Sequence, residues 1–176
     1  MGIAADLDYA IPVRANVLQR SVRVVASSRP GAWALARTLP ALDRFVSRLT
    51  RGRTTLSEEL SALPVLVVTT TGRRSGLPRP AQLIGIPVGD TLALVGTNFG
   101  QASTPTWVLN LEADAHATVT HRGRTLDVLA RPATPAERAD VLARAPEVYV
   151  GYAKYRTRIS GRRVRVFVLD PVARHG

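Results

Sequence analysis

The spacing of apolar positions divides the chain near residue 63. Before it they recur at helical intervals; after it they alternate or run on as in strands. In the first stretch Leu42, Phe45, Val46 and Leu49 fall at i, i+3, i+4 and i+7, with Arg44, Arg48 and Arg51 on the opposite face. That pattern predicts an amphipathic helix. Another helix is expected over 13–26, with Pro12 and Pro40 as first-turn residues and Pro30-Gly31 as the break between the two. Beyond residue 63, β-branched runs predict strands at 64–71, 79–87, 91–97, 116–122, 124–131 and 163–169, with hairpin turns at Gly89-Asp90 and Gly123. A short helix is expected with Thr104 as N-cap and Pro105 at its first position. A capping box, Thr134-Pro-Ala-Glu137, opens a longer one reaching about Tyr149, and Gly151 bends the chain just beyond it. Six strands joined mostly by hairpins, with N-terminal, connecting and C-terminal helices, predict an α+β fold. Its centre is a mostly antiparallel barrel over 63–176, preceded by a basic helical segment over 1–62.

Composition narrows this picture. With 176 residues and 45% apolar content, one globular domain with a substantial core is expected. Asp6 and Asp8 stand where a secretory signal needs positive charge, and no window is apolar enough to span a bilayer, so a cytoplasmic protein is expected. The absence of cysteine removes disulfides, thiol nucleophiles and thiolate metal sites. The net charge of +11 admits nucleic acid, an anionic membrane or a polyanionic small molecule as partner. Between Arg14 and Arg53 nine arginines face a single acid, Asp43. This stretch reads either as helices packed on the domain with a solvated basic face or as a peripheral contact with anionic lipid.

Familiar catalytic constellations are missing. Gly72 to Gly76 lacks the spacing and the Gly-Lys-Ser/Thr ending of a phosphate-binding P-loop, and no dinucleotide fingerprint joins a strand to a helix. His116, His121 and His175 share no ligand spacing, and the acids are scattered. Ser75 stands beside arginines and reads as a turn hydroxyl. Only nine residues are aromatic, and the tyrosines are expected on a helix, which argues against a nucleic-acid platform.

Three features point to chemistry. The stretch Thr69 to Leu83, TTTGRRSGLPRPAQL, places Arg73, Arg74, Arg79 and Ser75 around one glycine-bounded turn. It is either an anion site or a surface turn with exposed arginines. In Thr104-Pro-Thr-Trp-Val-Leu-Asn110, Trp107 and Asn110 share a helix face. They offer a flat apolar wall with an amide, or a core tryptophan with an asparagine capping a neighbour. Tyr149, Tyr152 and Tyr155, at i, i+3 and i+6 on one expected helix, either line a pocket and donate to a bound carbonyl or nitro group or are core residues, each of whose hydroxyls needs a partner.

These motifs, with Asn98-Phe99-Gly100 between them and in this order, resemble the deazaflavin-dependent nitroreductase family of F420-dependent oxidoreductases, which have a split β-barrel fold related to FMN-binding proteins. The resemblance spans about residues 63–171. It implies coenzyme F420 as cofactor, with Arg73, Arg74, Ser75, Gly76, Leu77, Pro78 and Arg79 at its phosphate and acidic tail. It implies that Val67, Val68, Thr69, Leu83, Ile84, Gly85, Ile86, Leu94, Val95, Gly96, Thr97 and Asn98 line the rest of the groove. Thr106, Trp107, Val108, Leu109 and Asn110 would pack on the deazaflavin ring, and Thr97, Tyr149, Tyr152 and Tyr155 would face the substrate. Hydride transfer to a quinone or nitro acceptor is the implied reaction. Arg74 stands where lysine is common, Thr97 where serine is frequent, and Val108 where an aromatic is common. The other readings are an FMN- or haem-binding split barrel, a basic nucleic-acid module, and a protein that binds F420 without turning it over.

Overall fold

The computed structural model describes residues 2–11, 28, 63–159 and 161–172. The helices expected over 13–26 and around 42–49 lie outside the described residues. In chain order the described elements are α1 (Ile3–Asp6), β1 (Leu66–Thr71), β2 (Pro78–Leu83), β3 (Ile86–Val88), β4 (Thr91–Val95), α2 (Thr106–Ala113), β5 (His116–His121), β6 (Arg124–Pro132), α3 (Pro135–Val148), α4 (Gly151–Arg158) and β7 (Val166–Pro171). The strands form one antiparallel sheet in the order β2-β1-β5-β6-β7-β4-β3.

The sheet has to curl. Its two edges, β2 and β3, are consecutive in the chain and separated only by Ile84 and Gly85. Leu83 and Ile86 are three peptide units apart, so they can be no more than ~11 Å from each other. Opposite edges of a seven-stranded sheet come that close only when the sheet wraps into a barrel. This is the α+β split barrel expected from the sequence, with one correction: the single strand expected over 79–87 is two strands, making seven instead of six. Tyr9 marks the break. Its hydroxyl accepts from Gly85 N at 2.9 Å and lies 2.9 Å from Gly85 O and 3.2 Å from Pro64 O. These backbone groups thereby leave the sheet ladder and bond to a side chain. A Cβ on Gly85 would meet Leu66 Cδ1 at 2.9 Å, so a larger residue at the crossing point would have to displace that leucine.

Period-two alternation sorts the core into two layers. Leu66, Val68, Leu92, Leu94, Val119, Val128, Phe167 and Leu169 point into the barrel, where Ile3, Leu7 and Tyr9 join them from the first ten residues. The intervening Ala93, Val95, Val166 and Val168 point outward under Val141 and Ala145 of α3 and Tyr152 and Tyr155 of α4. Strands β4 and β7 are therefore buried on both faces. β1 and β5 alternate between buried and part-exposed residues, as strands with one covered face do.

Local signals mostly hold. Thr134 caps α3 in a full capping box with Glu137. Arg122 and Gly123, at φ 47° and 82°, make the tight turn between β5 and β6, and Gly89 has φ 54° at the turn before β4. Three expectations shift. Helix α2 starts at Thr106 with Pro105 as its cap, one residue later than expected, because Pro105 holds an extended ψ of 143°. The strand expected over 91–97 ends at Val95, since Thr97 turns into a short 3-10 segment at Asn98–Gly100. The last strand lies at Val166–Pro171 instead of 163–169.

Candidate functional site

The arginine hairpin is built by its own backbone. Gly72 N donates to Leu77 O at 2.9 Å, and Ser75 N and Gly76 N both donate to Gly72 O, at 3.0 and 2.7 Å. Gly76 adopts φ +66°, which favours glycine, and a Cβ on Gly72 would press on Ser75 Oγ at 2.7 Å, displacing the turn's serine. Ser75 Oγ accepts from Leu77 N at 3.3 Å and from an Arg79 Nη at 3.2 Å, the turn role expected of it. Arg73, Arg74 and Arg79 are all exposed, and no acid occurs between residues 71 and 89. Three guanidinium groups on one fixed turn suit a phosphate and further carboxylates. The donor set fits the acidic tail of a deazaflavin.

Asn110 anchors this hairpin to α2. Only 1% exposed, it accepts from Arg73 N at 3.2 Å and donates to Thr70 Oγ1 at 2.9 Å. Thr70 Oγ1 in turn donates to Arg79 O at 3.3 Å. Trp107 is buried in the barrel core, edge-on to Phe167 with centroids 6.0 Å apart. Val108 is fully buried against Gly96, where a Cβ would meet Val108 Cγ2 at 2.8 Å. Within Thr106–Asn110, then, Thr106 and Leu109 present surface while Trp107, Val108 and Asn110 fix the barrel's end.

A second cluster surrounds the tyrosines. They do not share one helix: Tyr149 caps the C-terminus of α3 with extended backbone, and Tyr152 and Tyr155 belong to α4. The expected single helical face is corrected accordingly. Gly151 permits the fold-back, because a Cβ there would collide with the Tyr149 ring. All three rings are buried, packed edge-on at 5.9 to 6.0 Å around Tyr149. The Tyr149 and Tyr155 hydroxyls are 3.1 Å apart, and Tyr152 donates to Ile84 O at 3.3 Å. Burial, and secondarily Tyr149, pushes the Tyr152 and Tyr155 hydroxyls well above the usual phenol range. They are protonated donors at neutral pH.

The loop after β4 joins the clusters. Thr97 is 6% exposed, and Asn98, Phe99 and Gly100 all take positive φ, at 49°, 53° and 79°. Asn tolerates that region; Phe99 does so at a cost of order 1–3 kcal/mol. Phe99 packs edge-on to Tyr155 at 6.2 Å, and Gly100 lies under Arg158 and Tyr155. Arg162, which belongs to none of the sequence motifs, clasps this loop. Its guanidinium donates to Gly96 O and Thr97 O at 2.9 Å and to Gln101 O at 3.1 Å. One arginine among many carried no sequence signal, since its partners lie more than sixty positions away.

Of the other residues expected in the groove, Val67 and Thr69 are part-exposed while Val68 is buried; Leu83 and Ile84 are part-exposed, and Gly85, Ile86, Leu94, Val95 and Gly96 are buried. A depression of about 430 Å³ opens beside the hairpin, lined in part by Thr69, Thr71, Gly76, Pro78, His116 and Thr118. At its rim His116 Nδ1 and Asp114 Oδ1 are 2.9 Å apart, and hydrogen bonds from the His116 backbone and ring hold the Asp114 carboxyl below the usual range.

Comparison with known proteins agrees with this geometry. The family model described as F420H(2)-dependent quinone reductase matches residues 42–171. A solved structure described as an F420-H2 dependent reductase, FDR-A, is 30% identical with a TM-score of 0.55, covering 61% of this chain and 94% of its own. Another, described as a domain-swapped dimer, is 27% identical with a TM-score of 0.58, covering 80% of this chain and 99% of its own. A match over residues 42–171 takes in the arginine hairpin, the Trp/Asn helix and the tyrosines together, and on that ground the chain belongs to the F420H2-dependent quinone reductase family.

Proposed function

We propose that the protein transfers a hydride from reduced coenzyme F420 to a quinone, or to a nitro compound or other conjugated acceptor. The observation that carries this reading is the turn that Asn110 locks in place, with Arg73, Arg74 and Arg79 exposed around it. The arginines hold the cofactor's phosphate and acidic tail. Thr106 and Leu109 offer the exposed edge of α2 to the ring, and the Gly96–Asn98 backbone closes the groove beside it. The cofactor supplies the reducing electron pair. The protein orients the acceptor and donates hydrogen bonds to the oxygen that gains charge, from Thr97 and from tyrosine hydroxyls that exchange their present partners for it, Ile84 O in the case of Tyr152 and each other in the case of Tyr149 and Tyr155. No acid–base dyad is needed for that division of labour.

The test is F420 binding followed by reduction of quinones and nitro compounds. Binding with turnover of either supports the reading; no binding overturns it. Binding without turnover of any acceptor would indicate a carrier of F420. The arginines between residues 14 and 53 make contact with anionic lipid a further proposed property. No helix among the described residues is long and apolar enough to cross a membrane. Failure to pellet with anionic liposomes would remove it.

A further inference from the structure

The loop at Gly96–Gln101 is the most strained backbone near the site, and one residue outside every motif holds it. Arg162 contributes four donor contacts to three carbonyls of this loop: those of Gly96, Thr97 and Gln101. A planar fork of this kind can bridge several acceptors at once, which a lysine ammonium on its flexible stem cannot reproduce. The neighbouring residues reinforce the clasp. Arg165 O accepts from Gly96 N at 2.9 Å, and the Arg165 guanidinium pairs with Glu112 on α2 at 2.9 Å. Arg138 on α3 reaches Val164 O at 3.4 Å. The segment 162–165 thus ties the loop to both α2 and α3.

We propose that Arg162 is a positioning residue for acceptor reduction. It holds the carbonyls of Gly96, Thr97 and Gln101 on either side of the left-handed residues Asn98–Gly100, seating Phe99 against Tyr155 and keeping Thr97 at the groove, without itself touching cofactor or acceptor. This role rests on the hydride-transfer function proposed for the site. It adds that the arrangement of Thr97 and Tyr155 is imposed through backbone carbonyls by a distant guanidinium. Burial lowers the Arg162 pKa, yet the three carbonyls it serves need the donors whatever the surrounding charge.

The experiment compares the full-length wild type with Arg162→Ala, Arg162→Lys and, as a control, Arg163→Ala, whose side chain is exposed. Amide exchange at Gly100 and Gln101, which donate to Thr97 O and Asn98 O, is followed without cofactor. F420 affinity and kcat and KM for a short-chain quinone are then measured. In Arg162→Ala, exchange at these amides should quicken and kcat should fall ~10- to 100-fold, with a clearly smaller loss of F420 affinity. Arg162→Lys should resemble Arg162→Ala, Arg163→Ala should resemble wild type, and added guanidinium should restore part of the loss in Arg162→Ala. Unchanged exchange and kcat would overturn the proposal. So would loss of turnover in step with F420 affinity and thermal stability, without rescue by guanidinium. If the wild type binds no F420, the proposed function falls by itself. Exchange at Gly100 and Gln101 still decides whether Arg162 holds the loop.

Discussion

The side-chain oxygen of Asn110, on α2, accepts the backbone N–H of Arg73 at the hairpin turn, 37 residues away. A nearly inaccessible amide therefore sets the angle at which the most exposed cations of the site leave the barrel. Asn110→Leu removes an acceptor from Arg73 N and a donor from Thr70 together, and should destabilise the protein by about 1–3 kcal/mol. F420 affinity should drop although Asn110 itself is buried. Asn110→Asp keeps the acceptor for Arg73 and should lose less affinity than Asn110→Leu. Thermal melts and fluorescence titration with F420 check both.

Arg73→Ala combined with Arg79→Ala should raise the Kd for F420 by at least tenfold while leaving the melting temperature nearly unchanged, since exposed side chains contribute little to stability. The loss should be larger for long-tailed F420 and should shrink as salt rises. Titrations at two ionic strengths with short- and long-tailed cofactor are the measurement.

Tyr9→Phe deletes one hydroxyl that meets Gly85 N, Gly85 O and Pro64 O. Leaving these buried groups short of a partner should cost about 1–3 kcal/mol. Gly85 is itself expected in the cofactor groove, so F420 affinity should fall along with stability, and denaturant unfolding with F420 titration checks both.

The tyrosines predict a one-sided pH effect. Tyr152 and Tyr155 are raised above the ordinary phenol value of 10.0 by burial. Below about pH 10 both folded and unfolded chains keep these protons, and stability is untouched by them. Above it the unfolded chain ionises while the folded one does not, so stability falls as pH rises. Tyr152→Phe and Tyr155→Phe should each flatten that decline in melting temperature. At neutral pH, Tyr152→Phe should spare cofactor affinity and lower turnover; unchanged turnover would remove Tyr152 from the mechanism.

Glu137 predicts the opposite limb. The Arg131 guanidinium, followed by the Thr134 backbone, lowers its carboxyl to about 2. A depressed acid stabilises the fold above its unfolded value of 4.5 and loses that contribution as pH falls toward about 2. Glu137→Gln should lower the melting temperature at pH 7 and reduce its dependence on pH between those values.

The features legible in the sequence were those written in neighbouring residues. Thr134 and Glu137 are three apart, and Gly72, Ser75 and Gly76 close their own turn, so local spacing determined both. The strand break at Gly85 was illegible because Ile84-Gly85-Ile86 continues an apolar run, and its cause is Tyr9, 76 positions earlier. The tyrosine spacing suggests one helix, but Gly151 lets Tyr149 fold back onto the start of the next. Trp107 and Asn110 were visible as a pair; that they brace the barrel's end depends on Phe167 and Arg73, which only the fold supplies. Arg162 looked like any other cation in a basic chain until its partners were adjacent.

The two-residue crossing at Ile84-Gly85 leaves the barrel with a seam, and the residues along it decide what can enter. β2 contributes Pro78 and Pro80, and β3 contributes Pro87. None of the three has an N–H to offer a visiting strand. A foreign segment would find half of a hydrogen-bonding ladder missing on either lip. Recruitment through these two margins is thus left to side chains, and addition of a foreign strand along either lip is disfavoured.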